Sequence, residues 1–256
     1  PVDPANIRSM AIIGLAAGTT ARQASIVYPG IQIDGFEIDP KIVKIGYEYF
    51  GMNLPGLKVH VEDGRWGLEH SPNRYQVISV DAYRPPYIPW HMTTREFFQT
   101  VYDHLESDGV MVINVGRAPQ DRRLINTLAS TILTVFPTVH VMDLPGSFNS
   151  LIYATARPTS VQNLEDNFNA LLPRSDINPL LIETVYYAMA NLQPAPPPDL
   201  VFTDDRAPIE WITNNLVLHF ILTGQTETMQ WRSMNSTAAL PIFPPTAGIS
   251  SPTPPR

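Results

Sequence analysis

The sequence of 256 residues contains no cysteine. This absence excludes disulfides, thiolate metal sites, iron–sulfur clusters and cysteine nucleophiles together. The six histidines show no metal-ligand spacing, so we predict no metal site. Positive charge is also scarce: 17 Lys and Arg stand against 24 Asp and Glu, for a formal net charge of −7. Because a nucleic-acid-binding surface needs a basic face, we expect no nucleic-acid partner.

Long apolar runs are missing as well. The longest, 216–222, is far shorter than the roughly 18 residues of a membrane span and contains His219. No signal peptide opens the sequence. Only a few residues precede the first predicted strand. Together these features predict a cytoplasmic domain, or the cytoplasmic domain of a membrane protein.

The sequence does have enough apolar material for a core, since 44% of its residues are hydrophobic. Its 26 prolines are unevenly spread. They crowd at 193–198, which predicts a stiff linker, and near the end, where few helix or strand formers remain. We predict a core at 1–157, a helical part packed on it at 158–235, and a proline-rich tail at 236–256.

Predicted strands and helices alternate through the core. The strands are 10–15, 32–38, 58–61, 76–80 and 110–115, and the helices are 21–28, 41–50, 94–105 and 121–136. This alternation predicts parallel strands joined by right-handed crossovers. Two further strands, 138–142 and 151–156, predict an antiparallel hairpin at the edge. The remainder is helical, so we predict an α/β fold: a Rossmann-like, mostly parallel sheet with an antiparallel edge hairpin plus C-terminal helices.

The turn after the first strand is a candidate ligand site, because open α/β sheets bind ligands beyond the carboxyl ends of their strands. Gly14 and Gly18 bracket a turn of small residues, where backbone can approach a ligand and a helix N-terminus points at it. An ordinary turn would give the same pattern. The sequence has no G-x-G-x-x-G motif, so an adenosyl nucleoside is favoured over a dinucleotide.

Carboxylates follow the next three strands. Glu37 and Asp39 lie about 20 residues beyond the glycine turn, where an acid commonly accepts both ribose hydroxyls. Asp63 is placed to accept from an adenine amine, and Asp81 ends an apolar strand. Singly, a helix cap explains Glu37 or Asp39, and a turn explains Asp63. All of them at consecutive strand ends predict a nucleoside site.

Six stretches of sequence match the motifs of one known family. They are Ile13-Gly-Leu-Ala-Ala-Gly-Thr19, Phe36-Glu-Ile-Asp-Pro40, Val61-Glu-Asp-Gly64, Val80-Asp-Ala-Tyr83, Ile88-Pro-Trp-His-Met-Thr-Thr-Arg-Glu-Phe97 and Thr203-Asp-Asp-Arg-Ala-Pro-Ile-Glu210. On these stretches the chain resembles the aminopropyltransferase (spermidine synthase) family, within the class I methyltransferase fold. It is especially similar to bacterial spermidine-synthase-like proteins that are often fused behind a membrane domain.

The resemblance implies a role for each acid. Glu37 would hold the ribose and Asp63 the adenine amine, with Gly14 and Gly18 lining the nucleoside site, while Asp81 would activate an attacking amine. The co-substrate would be decarboxylated S-adenosylmethionine or S-adenosylmethionine, and the partner a small-molecule amine acceptor. The resemblance also leaves room for a homodimer and for an upstream membrane or hairpin domain.

The loop after the fourth strand supplies three candidate substrate-binding residues, Tyr83, Arg84 and His91. Arg84 departs from the family, which has an acid there, and the first loop lacks the family's acid too. An Arg84 facing the ammonium of a diamine at about 4 Å would cost roughly 4 kcal/mol at an effective dielectric of 20. Arg84 therefore turns outward, or it pairs with Asp81, or the acceptor is not a simple diamine.

Three classes of function follow. The first is an aminopropyltransferase-like enzyme. A small-molecule methyltransferase using S-adenosylmethionine shares the fold and most of the nucleoside site, and Thr19 or Arg84 could suit its donor's carboxylate. A non-catalytic nucleoside-binding domain is the third, favoured by the altered loops. Asp204 and Asp205 precede the last predicted helix, and N-capping explains at least one of them.

Overall fold

Seven strands form one sheet in the computed structural model, which describes residues 6–84, 87–118 and 121–222. The strands are β1 (Ser9–Ile13), β2 (Gln32–Phe36), β3 (Leu57–His60), β4 (Tyr75–Val80), β5 (Leu105–Gly116), β6 (Thr138–Asp143) and β7 (Asn149–Thr155). Their order in the sheet is β3-β2-β1-β4-β5-β7-β6. The first five pair in parallel, and β7 runs antiparallel to β5 and β6.

Eight helices lie within the described residues. They are α1 (Thr19–Val27), α2 (Pro40–Tyr49), α3 (Gly64–Glu69), α4 (Arg95–Asp103), α5 (Arg123–Leu133), α6 (Val161–Leu171), α7 (Pro179–Asn191) and α8 (Ile209–Leu222). The predicted α/β fold, with its antiparallel edge and C-terminal helices, is confirmed. The division at residue 157 stays a prediction, and the tail at 236–256 lies outside the described residues. Across the described part, no helix is long and apolar enough to span a bilayer.

The sheet reverses its strand order between β1 and β4. From β1 the chain adds β2 and β3 on one side, then crosses to add β4 and β5 on the other. Ligands of such sheets bind in the crevice at this reversal. The amide of Asp81 donates to the carbonyl of Ile13 at 2.8 Å, so the loops after β1 and β4 begin side by side.

The middle of the sheet is covered on both faces, which is why β1 is apolar from Met10 to Ile13. Neighbouring residues of a strand point to opposite faces. Ile12 accordingly packs with Leu15 and Met52 on one face, while Ile13 packs in a larger cluster with Phe97 and Ile113 on the other. Burial on both faces is typical of parallel strands between helices.

Most element boundaries differ from the prediction by one to five residues, and two of the differences change the description of the fold. The predicted strand 58–61 ends at His60, and α3, which was not predicted, follows it. The predicted helix 94–105 ends at Asp103, because β5 already begins at Leu105. Tyr75 pairs with Leu105 but Val77 pairs with Val110, so the pairing of β5 with β4 is irregular between these two positions. This irregularity is why the sequence pattern indicated only the second half of β5 as a strand.

The C-terminal helix α8 packs on the core through Ile209 and Ile212, both buried. The segment before it is fixed by Phe202, whose side chain is 1% exposed. The Phe202 amide also donates to the buried hydroxyl of Thr131 on α5 at 3.0 Å. These contacts place α8 beside the carboxyl end of the sheet, where it contributes to the site described next.

Candidate active site

The turn after β1 is shaped by close packing. Gly14 has φ 86°, and a Cβ there would lie 2.5 Å from the carbonyl oxygen of Asp81. Gly18 has φ 83°, and its Cβ would lie 2.7 Å from Cγ of Met52. Both positions therefore require glycine for packing and for a left-handed backbone. Their predicted contact with a nucleoside stays a prediction.

Glu37 follows β2 directly and is 8% exposed. Its Oε2 accepts from the amide of Ala16 at 2.9 Å, and Oε1 accepts from the amide of Asp39 at 3.0 Å. Each carboxylate oxygen can accept more than one hydrogen bond. Glu37 is thus a rigid acceptor that joins the β1 and β2 loops. Asp39, by contrast, caps α2 by accepting from the amide of Lys41 at 2.8 Å.

Asp63 caps α3, since its Oδ1 accepts from the amides of Arg65 at 3.0 Å and Trp66 at 3.1 Å. Its Oδ2 lies 2.9 Å from Nε2 of His91. The His91 hydrogen bond is the main cause that holds the pKa of Asp63 below its ordinary value. A local turn or cap therefore explains the contacts of Oδ1 of Asp63, whereas Oδ2 orients His91.

A bidentate ion pair that the sequence did not predict lies beside this acid. Both terminal nitrogens of Arg65 donate to Asp204, at 2.8 and 2.7 Å, and Nη1 also donates to the carbonyl of His91 at 2.8 Å. The hydroxyl of Thr94 donates to Asp204 at 2.6 Å. The prediction that N-capping explains Asp204 or Asp205 is wrong for both, because α8 begins only at Ile209. Asp204 instead ties the segment before α8 to α3 and α4.

Asp81 stands one residue beyond β4 and is exposed. Its Oδ1 accepts from Nδ2 of Asn114 on β5 at 2.9 Å. The bond fixes which way the amide of Asn114 is turned, since only its nitrogen can donate. Sequence reasoning missed Asn114, a polar residue in a strand whose alternate positions are buried.

Tyr83 and Arg84 follow Asp81 in the chain but have different environments. The Tyr83 hydroxyl accepts from the amide of Gly116 at 2.8 Å and donates to the carbonyl of Asn114 at 3.1 Å. Burial raises the pKa of Tyr83 well above its ordinary value, so it remains a neutral phenol. Arg84 is exposed, and its guanidinium makes no ion pair with any described residue. Of the three alternatives, the described contacts exclude the pairing with Asp81, whose side chain bonds Asn114 instead.

A cavity of about 350 Å³ opens beside Asn114. It is lined by Tyr83, Ile88, Asn114, Gly116, Arg117, Leu124, Phe148, Asn149, Thr213, Leu216 and Val217. Three buried polar atoms lack a hydrogen-bond partner among the described residues: Oδ1 of Asn114, Nε of Arg117 and Oγ1 of Thr213. All three belong to side chains that line this cavity. His91 does not line it, and lies instead against Asp63.

The strand order arranges these groups in sequence along one edge of the sheet. Asp63 follows β3, Glu37 follows β2, Asp81 follows β4 and Asn114 lies near the end of β5. Neighbouring strands are about 4.8 Å apart. Asp81 thus stands between the two acids suited to a nucleoside and the cavity. Within the described ranges, no group of three or more His, Asp or Glu side chains is arranged to hold a metal ion.

Known proteins similar to this chain include curated bacterial relatives. A probable polyamine aminopropyl transferase of Bifidobacterium longum is 33% identical over 219 residues, which cover 80% of this chain and 49% of that protein. A polyamine aminopropyltransferase of Vibrio vulnificus is 30% identical over 183 residues, covering 69% of this chain and 59% of that one. The chain therefore spans about half the length of the curated relatives it matches.

Solved structures support the same fold. A probable spermidine synthase from Corynebacterium glutamicum superposes with a TM-score of 0.58 at 22% identity, covering 73% of this chain and 72% of that one. Human methyltransferase-like protein 13 in complex with SAH gives a TM-score of 0.54 at 22% identity, covering 72% and 81%. The family described as the spermine/spermidine synthase domain matches residues 3–151, which is more than half of the chain. This chain belongs to the spermine/spermidine synthase domain family.

Proposed function

We propose that this protein transfers an aminopropyl group from decarboxylated S-adenosylmethionine to a small-molecule amine. The observation that carries the proposal is the position of Asp81 between Glu37 and Asp63 on one side and the cavity on the other. A two-substrate transferase needs its reacting atoms to meet between a donor site and an acceptor site. Membership of the spermine/spermidine synthase family supports this chemistry.

The donor nucleoside would bind at the ends of β2 and β3. Glu37 is already oriented by two backbone amides, and its carboxylate retains about two of four lone-pair sites for the ribose hydroxyls. Asp63 has Oδ2 directed away from the helix it caps, toward His91, and this oxygen can accept from the adenine amine. Preset acceptors of this kind bind without reorganising when the ligand arrives.

The reaction is a displacement at carbon. The lone pair of a neutral amine attacks the methylene carbon next to the sulfonium; a C–N bond forms, the C–S bond breaks, and its electron pair neutralises the sulfur. Methylthioadenosine leaves as a neutral thioether, and the alkylated nitrogen carries a positive charge. Asp81 would accept a proton from that nitrogen and pass it to solvent, to which its side chain is exposed.

Asn114 would act as a positioning residue for this step. Its amide nitrogen donates to Asp81 Oδ1 at 2.9 Å, which leaves Oδ2 for the amine. A carboxylate held by one hydrogen bond samples fewer orientations than a free one, and orientation contributes strongly to rate.

Methyl transfer from S-adenosylmethionine is the second candidate. Arg84 favours it, because it replaces the family's second acid beside Asp81, and so does the fold shared with the human methyltransferase-like protein. The two functions differ in the product: methylthioadenosine for aminopropyl transfer, S-adenosylhomocysteine for methyl transfer. A homodimer, an upstream hairpin or membrane domain and a cytoplasmic location stay predictions.

Chromatographic analysis of the products tests the proposal. The protein is incubated with decarboxylated S-adenosylmethionine, and separately with S-adenosylmethionine, against one panel of amines. We expect methylthioadenosine from the first donor, in amounts equal to the alkylated amine. S-adenosylhomocysteine from the second donor, with no methylthioadenosine from the first, would replace the proposal with methyl transfer. Tight binding of methylthioadenosine with no product from either donor would leave a non-catalytic nucleoside-binding domain.

A further inference from the structure

The cavity beside Asp81 has mostly apolar walls with a few polar groups. Its apolar lining comes from Ile88, Leu124, Phe148, Leu216 and Val217. Its volume of about 350 Å³ falls near the lower end of small-molecule sites, which run from about 300 to 1,000 Å³. Such walls suit the hydrocarbon part of a small acceptor, and the polar groups decide what its ends carry.

One polar group faces the reacting end. Asn114 donates its amide hydrogens toward Asp81, so its buried Oδ1 is the atom left to accept. That oxygen has no partner among the described residues. An acceptor atom beside the carboxylate is suited to the N–H groups of an incoming amine.

The other two unpartnered groups can both donate a hydrogen bond. They are Nε–H of Arg117 and the hydroxyl of Thr213, whose residue is 6% exposed. Buried donors of this kind are costly unless a ligand supplies an acceptor. The guanidinium of Arg117 further prefers an anionic one, since it is planar and always charged.

Asp143 forms an ion pair with Arg117 but gives its Nε no hydrogen bond, and Nη2 of Arg117 donates to the carbonyl of Ser147 at 3.3 Å. Arg122 donates to both oxygens of Asp143, at 2.8 and 3.2 Å, and Ser150 donates to it at 2.6 Å. Nε of Arg117 is 3.5 Å from Oδ1, without hydrogen-bond geometry. Two guanidinium groups thus share one carboxylate, which leaves a net positive charge at this wall of the cavity.

A diamine would fit this wall poorly. The second ammonium of a diamine is costly to take out of water unless a negative charge pairs with it. Among the described residues that line the cavity there is no Asp or Glu, and the only charged one is Arg117.

We infer that the acceptor is an amine that carries a carboxylate at the far end of an apolar spacer, and not a diamine. This inference rests on the proposed function, since it assigns the cavity to the amine of that reaction. The amino group would lie at Asn114 and Asp81, where its nitrogen attacks the donor methylene and loses a proton. The carboxylate would accept from Arg117 and Thr213.

Calorimetry on the methylthioadenosine-saturated protein tests the inference without requiring turnover. The two probes are 5-aminopentanoate and 1,5-diaminopentane, which share the chain length and one amine and differ at the far end. We expect the amino acid to bind at least tenfold more tightly. Arg117→Gln should remove that preference, and Arg117→Lys should retain part of it. The matched control is Arg157→Gln, because Arg157 donates to Ser107 and does not line the cavity.

Equal or tighter binding of the diamine would overturn the inference, and so would an equal loss in Arg117→Gln and Arg157→Gln. If Arg117→Gln folds poorly, Thr213→Val gives the same test at the other donor, with at least a threefold loss for the amino acid alone. Weaker methylthioadenosine binding in Arg117→Gln would mean that the donor, and not the acceptor, occupies the cavity. That result would also overturn the inference. Methylthioadenosine release from the decarboxylated donor remains a separate readout: its absence with both probes refutes transfer, whereas release with the diamine alone refutes only the acceptor class.

Discussion

Replacing Glu37 with glutamine isolates the ribose contact that we propose. The side chain is 8% exposed, and its two oxygens are held by the amides of Ala16 at 2.9 Å and Asp39 at 3.0 Å. Glutamine keeps the shape but turns one oxygen into a donor. One backbone amide or one ribose hydroxyl must then lose its acceptor.

The magnitudes follow from those contacts. A hydrogen bond to a charged group is worth about 1.5–3 kcal/mol, so Glu37→Gln should weaken methylthioadenosine binding by about 10- to 150-fold. An unpaired buried amide costs about 1–3 kcal/mol of folding free energy. For a protein of this size that lowers Tm by roughly 2–12 °C. The folded fraction at 25 °C therefore stays high enough for a binding measurement.

A ligand–protein cycle separates ribose contact from loop damage. Calorimetry on the parent and on Glu37→Gln uses methylthioadenosine and its 2′-deoxy and 3′-deoxy analogues. We expect deoxygenation to weaken binding to the parent by at least tenfold but to affect the variant much less. Asp39→Asn is the control. Asparagine also caps a helix, so this variant should bind methylthioadenosine as tightly as the parent does. Equal deoxy penalties in the parent and in Glu37→Gln would refute the assignment of Glu37 to the ribose.

Three further predictions concern the groups around the crevice. Asn114→Ala should lower kcat by about tenfold or more with little change in methylthioadenosine affinity, since Asn114 positions Asp81 and does not touch the nucleoside; steady-state kinetics and calorimetry check this. His91→Ala should destabilise the protein by less than about 1 kcal/mol at pH 7, because the Asp63–His91 pair is partly exposed. The lowered folded pKa of Asp63 gives stability that is present above its ordinary 3.8 and is lost as the pH falls through the lower folded value, so urea melts of the two proteins should converge in acid. Arg84→Asp should change the kcat/KM for 1,5-diaminopentane by less than about 30-fold, since reversing an exposed charge in water changes its interaction by only about 2 kcal/mol at 4 Å; a larger gain would mean that Arg84 turns into the crevice.

Local sequence patterns predicted the strands of the sheet and their parallel pairing well. β1 and β4 are short and largely apolar runs, and Gly14 and Asp81 stand directly after them. Their position at the carboxyl edge follows from strand direction alone. No long-range contact had to be known.

The helix α3 was missed because its sequence resembles a turn. Two of its six residues, Gly64 and Gly67, are glycines, each of which costs about 1 kcal/mol in a helix. Tertiary packing requires them: a Cβ at Gly67 would lie 2.5 Å from Cδ1 of Phe36, and one at Gly64 would lie 2.4 Å from Cγ2 of Ile13. The cap at Asp63 and the burial of Leu68 offset that cost.

The remaining site residues depend on contacts that local patterns do not contain. Arg65 and Asp204 are 139 positions apart, and no periodicity links them. Asn114 and Thr213 meet at the cavity only because α8 folds back over the sheet. The one signal in the sequence that could have indicated Asn114 is its position as a polar residue within the alternating strand β5.

The rate of methylthioadenosine release by Asp81→Asn tests the central claim most directly. With decarboxylated S-adenosylmethionine and 5-aminopentanoate or 1,5-diaminopentane, the variant should be slower than the parent by about 10²–10⁴-fold, the usual contribution of a general base. Its affinity for methylthioadenosine should be unchanged, because Asp81 lies outside the nucleoside contacts that we propose for Glu37 and Asp63. Asp39→Asn should match the parent in both measurements. Release by Asp81→Asn at the parent's rate, or by neither protein with any amine, would contradict aminopropyl transfer at this carboxylate.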